Sequence, residues 1–286
     1  MERNEMSIPV IIRNLRKNYG GIRAIDGIDF IVQPQQVHAL LGPNGAGKTT
    51  TLKSILGFVN YKGDIKLFGK DIDSVRDKVA FVPDEKNFYK SLTGEQAIRM
   101  CEKLFDDFST DKAKEFFDKF QLPLNQKIGT FSHGMKTQAY LSLILARQAK
   151  LYIFDEPTWG LDPIKRDDVL EMIRDLVIEG SSVLYTSHII PEVERIADKI
   201  SIMHKGKIHF SGSIDEIKES YIILKSEKRV ELSGYRVVSY CKQNGKHIYL
   251  INTEKQNFSL KEDHEYYVPD LNEFFQVVIR GERNVL

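Results

Sequence analysis

The stretch Gly42-Pro43-Asn44-Gly45-Ala46-Gly47-Lys48-Thr49 fits the pattern GxxxxGK[ST] at every fixed position. The apolar run Val37-His38-Ala39-Leu40-Leu41 before it predicts a buried strand, and residues 48–56 after it predict a helix stopped by Gly57. A strand, a glycine-rich turn and a helix in that order make a cradle for a nucleotide's phosphates. The glycines let the backbone curl so that its N–H groups point inward, and the helix N-terminus adds partial positive charge. Lys48 is placed to reach the β- and γ-phosphates. The Thr49 hydroxyl suits Mg2+, a small hard ion that prefers oxygen ligands and keeps several waters.

Composition bounds what surrounds this loop. Forty-one Lys and Arg against 40 Asp and Glu leave a formal net charge of +1 over 286 residues, which gives no global pull toward nucleic acid or an acidic membrane surface. The length suits one large α/β domain with a small appendage, or two modest domains. Cys101 and Cys241 are the only cysteines and have neither disulfide-framework nor zinc-site spacing, which fits a reducing cytosol. The opening Met1-Glu2-Arg3-Asn4-Glu5 is charged and is not followed by a signal-peptide core. No run approaches the ~18 apolar residues of a spanning helix, so the chain is expected to meet a membrane only through a partner.

Upstream of the loop, residues 8–32 alternate apolar and polar around Asn18-Tyr19-Gly20-Gly21, the pattern of antiparallel strands joined by a turn. Tyr19, in that turn, offers a ring that could stack on a flat base, although taken alone ordinary packing is the better reading of it. Downstream, Gly63 to Gly69 reads as a short strand, and Val79-Ala80-Phe81-Val82-Pro83 as a buried one leading to Asp84-Glu85. The apolar sets Ala97, Met100, Cys101, Leu104 and Ala113, Phe116, Phe117, Phe120 then predict two helices packed together. After Pro123, Phe131-Ser132-His133-Gly134-Met135 leads into an apolar helix, with Ser132 as its N-cap.

Leu151-Tyr152-Ile153-Phe154 is a further buried strand, and it ends in Asp155-Glu156. A buried carboxylate without a partner is costly, and a cation relieves that cost. Asp155 is therefore expected to orient Mg2+ through a water, and Glu156 to orient or activate the water that attacks the γ-phosphate. The loop Trp159-Gly160-Leu161-Asp162-Pro163 precedes a surface helix over 164–178, and the strand Ser182-Val183-Leu184-Tyr185 ends in Thr186-Ser187-His188. His188 leaves the carboxyl edge of a strand, where open α/β sheets bind ligands, and is expected to meet the γ-phosphate. A closing hairpin over 200–210 and a helix over 214–220 follow. Beyond Tyr221, a strand over 229–242, the turn Asn244-Gly245, a return strand over 247–251 and a helix over 271–279 are expected.

The ordered set resembles the ATP-binding-cassette ATPases, motor subunits of membrane transporters, over about residues 8–220. Tyr19 falls at that family's adenine-stacking loop, Gly42 to Thr50 at its Walker A, and Phe131-Ser132-His133-Gly134-Met135 at its LSGGQ-like signature. Leu151 to Glu156 falls at Walker B, Asp162 at the D-loop and His188 at the switch histidine. Two positions depart from the pattern. Asp84 stands where Gln or Glu is usual and is a methylene shorter than glutamate, so a bridging water or adjacent Glu85 could serve there. His133 replaces the first signature glycine, while Ser132 and Gly134, which carry the family's γ-phosphate contacts, remain.

The resemblance implies an α/β fold: a P-loop NTPase core with an antiparallel β subdomain and a helical signature subdomain at about 88–146. A small α+β region over 221–286 follows. It also implies an ATPase using ATP and Mg2+, with each ATP clamped between one subunit's Walker A and the other subunit's signature. The expected partners are a second ATPase subunit, identical or related, and a separate transmembrane permease docking near 88–104; no nucleic acid is expected. The chain would then sit in the cytoplasm, peripheral on the inner face of the cell membrane. The order of elements after the cassette, with Tyr235-Arg236-Val237-Val238 and Pro269-Asp270-Leu271, is similar to ATPases of ABC-2-type exporters. The competing readings are an importer ATPase and a soluble nucleotide-sensing regulator. A cassette acting on ribosomes or DNA would show two cassettes or a long coiled coil, and neither is present.

Overall fold

Residues 7–86, 90–232, 234–254 and 265–281 are described by a computed structural model. Strands β1 (Val10–Tyr19) and β2 (Ile22–Val32) pair antiparallel around the turn at Gly20-Gly21. Then come β3 (Val37–Leu41), helix α1 (Lys48–Ile55) and β4 (Lys62–Lys66), which pairs with β1 to complete a three-stranded sheet ordered β2-β1-β4.

The remaining strands of the nucleotide half are β5 (Val79–Val82), β6 (Leu151–Asp155), β7 (Ser182–Ser187), β8 (Lys199–His204) and β9 (Lys207–Gly212). With β3 they make a six-stranded sheet in the order β5-β6-β7-β3-β8-β9, parallel except for β9. Both faces are covered, which is why these strands read as continuous apolar runs rather than alternating ones. Val37, Ala39 and Leu41, with Tyr152, Phe154, Val183 and Tyr185, face one core, shared with the helices. Leu40, Leu151, Ile153 and Leu184 face the other, shared with α1 and the three-stranded sheet. His38 is 1 % exposed, its Nε2 is 3.0 Å from Ser201 Oγ, and burial pushes its pKa down to about 3.

Three helices form a lobe between β5 and β6: α2 (Gly94–Leu104), α3 (Thr110–Lys119) and α4 (His133–Leu145). Thr93 caps α2 in a reciprocal capping box with Gln96, and Ser109 and Ser132 cap the next two. Arg147 fastens this lobe to the sheet. Its guanidinium makes two bonds to Asp107 (2.9 and 3.0 Å) and donates to the carbonyls of Val79 (3.0 Å) and Asp77 (2.8 Å). Helices α5 (Pro163–Ile178), α6 (Ile190–Ile196) and α7 (Ile214–Ser220) complete the layer.

Beyond α7, β10 (Tyr221–Ser226), β11 (Arg236–Gln243), β12 (Lys246–Asn252) and β13 (Glu265–Tyr267) form an antiparallel sheet ordered β11-β12-β10-β13, followed by α8 (Leu271–Arg280). Asn244 and Gly245 both have positive φ (50° and 82°), as a type I′ hairpin turn requires. The strand expected over 229–242 is shorter than its alternation suggests. Leu232 tucks into a small core, and the Tyr235 N–H donates back to its carbonyl (3.0 Å), so regular pairing starts at Arg236. β10 and α6 were not expected, because both follow the preceding element with no turn residues to announce them. Of the expected docking segment 88–104, Phe88 and Tyr89 lie outside the described residues.

Candidate functional site

The loop after β3 wraps the start of α1. Gly47 has φ of 112°, and a Cβ there would lie 2.7 Å from the Ala24 carbonyl oxygen and 2.6 Å from Met203 Cε, so only glycine fits. The loop forms the floor of a pocket of about 340 Å³ that includes Pro43 through Thr50, with Ile22, Arg23 and Ala24 on one side and Asp84 and Glu156 on another. Sequence positions more than 100 residues apart thus meet around one turn of backbone. They do so because the carboxyl ends of β5, β6, β7 and β3 follow one another along a single edge of the sheet.

Lys48 is 6 % exposed. Its ammonium donates to the Gly42 carbonyl (2.6 Å) and sits 3.2 Å from Glu156 Oε1. The other Glu156 oxygen, Oε2, is 2.9 Å from His188 Nδ1. One carboxylate thus joins a cation that lines the pocket to an imidazole that does not. Glu156 adopts φ of 47°, a left-handed conformation uncommon outside glycine, and its N–H is shared between the Thr186 carbonyl and hydroxyl (3.2 Å each). The same Thr186 hydroxyl donates to Asp155 Oδ1 at 2.6 Å, and Asp155 is 1 % exposed.

Asp84 lines the pocket and is exposed. Its backbone is held by Lys86, which belongs to no motif of the chain. The Lys86 ammonium donates to the carbonyls of Asp84 (3.1 Å) and Glu156 (3.4 Å), and burial pulls its pKa below the ordinary lysine value against the opposing charges of Asp84, Asp155 and Glu156. Glu85, the expected substitute for a longer acid at 84, is exposed.

The other sequence-derived residues stand apart from this pocket. Tyr19 pairs with Ile22 across the hairpin and carries the Lys17 ammonium over its ring at 4.6 Å. Ser132 accepts from the Met135 N–H (3.2 Å), and Asp162 caps α5 by accepting from the Lys165 N–H (3.1 Å). Gly134 lies near Gly160 and Leu161. The unexpected His133 ring lies against Gly160, where a Cβ would fall 2.6 Å from its Nε2. Trp159, 55 % exposed, places its ring 5.5 Å from that of His188. The loop over 159–160 is thus flanked by both histidines.

The pattern of the family described as ABC transporter matches residues 25–159. Nod factor export ATP-binding protein I of Burkholderia orbicola (strain AU 1054) is 33 % identical over 225 residues, covering 75 % of this chain and 74 % of that protein. Linearmycin resistance ATP-binding protein LnrL of Bacillus subtilis (strain 168) is 35 % identical over 210 residues, covering 70 % and 68 %. A solved structure of the ATP-binding subunit of an ABC transporter aligns with a TM-score of 0.67 at 28 % identity, over 73 % of this chain and 92 % of that one.

Proposed function

The chain belongs to the ATP-binding cassettes of ABC transporters, and from that premise we propose that it is the ATP-hydrolysing motor of an exporter whose membrane subunit is a separate polypeptide. Its similarity to a Nod factor export protein and a linearmycin resistance protein supports export over import. No helix among the described residues is long and apolar enough to cross a membrane. In this reading the chain lies on the inner face of the cell membrane, bound to its permease near 88–104. Residues 8–220 act as the cassette and 221–286 as an accessory unit.

The observation that carries the reading is the line Lys48, Glu156, His188 beside the loop. The loop amides and Lys48 hold the phosphates of ATP and offset charge that develops during phosphoryl transfer. Glu156 orients the attacking water, and His188 holds the carboxylate in place. Thr186 fixes both acids through one hydroxyl. Thr49 and Asp155 offer a hydroxyl and a carboxylate, hard oxygen donors of the kind Mg2+ takes, and Asp84, which lines the pocket with Thr49, adds a third. An ion held by these residues would supply positive charge to offset that of the phosphates.

Ser132, Gly134 and Asp162 do not line the pocket of their own chain, which fits use on ATP held by a second subunit. Homodimerisation is the simpler arrangement because one chain carries both halves. Closure by ATP and release after hydrolysis then follow from loss of the charge that both surfaces bind. The test is Glu156→Gln in the full chain: ATP binding and a trapped dimer are expected, with turnover lost. Parental turnover in that variant sinks the assignment of Glu156. Purification from native cells in mild detergent should bring down a polytopic membrane protein in stoichiometric amount; soluble partners alone would point to a regulator instead.

A further inference from the structure

Alternation along β7 sends Thr186 toward Asp155 and Glu156 and sends Tyr185 to the opposite face of the sheet. On that opposite side lies Glu192 of α6, a carboxylate only 3 % exposed. It accepts from the Thr158 hydroxyl on both oxygens (2.9 Å each), from the Tyr185 hydroxyl and from Ser187 Oγ (3.4 Å), and it pairs with Arg166 Nε of α5 at 3.2 Å. Neither Glu192 nor any of these partners lines the phosphate pocket. Packing alone does not call for such a group, since burying a carboxylate is costly and an apolar residue fills the same space.

Its partners are placed with respect to the site. Thr158 stands two residues after Glu156, Ser187 immediately precedes His188, and Tyr185 immediately precedes Thr186. Ser187 Oγ also accepts from the Ile189 N–H at 2.9 Å, which fixes the chain on the far side of His188. Glu156 keeps its left-handed φ of 47°, and such a conformation persists only where surrounding contacts over-determine it. Thr186 supplies those contacts on one side. We propose that Glu192 supplies them on the other, as a positioning residue that fixes the separation of segments 156–158 and 187–189 and so holds Glu156 against His188. It touches neither nucleotide nor water. The inference rests on the reading of Glu156 and His188 as the groups that act on ATP.

Two substitutions at Thr158 separate a hydroxyl-to-carboxylate clamp from mere filling. Thr158→Val keeps the volume and removes the donor; Thr158→Ser removes a methyl and keeps the donor. In the full chain with ATP and Mg2+, Thr158→Val should lower kcat about tenfold through misplacement of Glu156, with KM for ATP within about twofold of the parent. Thr158→Ser should turn over close to the parental rate. If Thr158→Val fails to fold, Tyr185→Phe removes a second donor at nearly constant ring volume and should give the same split.

Trp159 is the only tryptophan in the chain and its ring is 5.5 Å from that of His188, so its fluorescence reads the position of that imidazole without turnover. Emission of Thr158→Val should differ from the parent, and that of Thr158→Ser should match it. Parental turnover and emission in Thr158→Val overturn the clamp, as does a Thr158→Ser variant poorer than Thr158→Val. If the unsubstituted chain hydrolyses no ATP, the ATPase reading fails on its own, and the emission comparison still decides the clamp.

Discussion

At the carboxyl ends of β3, β6 and β7 the buried groups are polar and answer one another: Lys48 meets Glu156, Asp155 meets Thr186, and Glu192 meets Thr158, Tyr185 and Arg166. In the C-terminal sheet the buried groups are mostly apolar. Ile223, Leu250, Phe274 and Val277 join the main core, while Leu224, Tyr249 and Ile251 close a small cluster on the other face. The rings of Phe210, Tyr221 and Phe274 meet edge to face at the seam, with centroids 4.9 to 5.9 Å apart. One region therefore holds charge in place at a cost in stability, and the other supplies burial without chemistry. Damage to the two should show in different measurements.

The largest effect is expected in the apolar region. Phe274→Ala should cost about 3–5 kcal/mol of stability from lost burial and the cavity left behind. It should be read by denaturant unfolding, with KM for ATP unchanged in the folded fraction. A rise in KM instead would show that the C-terminal sheet shapes the pocket. The converse is Glu156→Gln, which should lower kcat at least about a hundredfold, the lower range for loss of a positioned base, while shifting the unfolding midpoint little. A large loss of stability there would break the comparison, because the pair with Lys48 would then be structural.

Acid should act on the central sheet next. Burial depresses His38 to about 3 in the folded chain, so below about pH 6.5, the ordinary histidine value, the unfolded chain binds a proton that the folded chain refuses. The stability that this neutral histidine allows is complete above that pH and is lost as pH falls toward 3. By pH 5 the loss is about 2 kcal/mol, seen as a falling melting temperature that His38→Asn should flatten. The smallest effect belongs to the surface of the helical lobe. Thr93→Ala should cost about 1 kcal/mol through loss of the α2 capping box, with no change in turnover.

Much of this was legible along the chain. The glycines of 42–47, the apolar runs before Gly42, Asp84, Asp155 and Thr186, and the cap at Ser132 are local features, each decided within a few residues. Asp84 and Glu156 could be placed near the loop because carboxyl ends of parallel strands share one edge. Lys86, Arg147 and Glu192 could not. Glu156 for Lys86, Asp77 for Arg147 and Thr158 for Glu192 lie 34 to 70 residues away, and a charged residue on a helix or in a loop looks the same in sequence whether it is solvated or buried. His133 was noticed as a departure, yet its seat on Gly160 depends on how α4 meets the loop after β6.

The sequence by itself determined the phosphate loop, the strands that feed it and the order of acids and histidine behind it, because backbone conformation and burial pattern follow from residues close together in the chain. Only the tertiary structure decided that the strands stand in the order β5-β6-β7-β3-β8-β9, that Lys48 shares Glu156 with His188, and that a buried Glu192 ties the two strand ends together. Those choices are made by long crossover connections and by charges that can be buried only where a partner from elsewhere in the chain arrives.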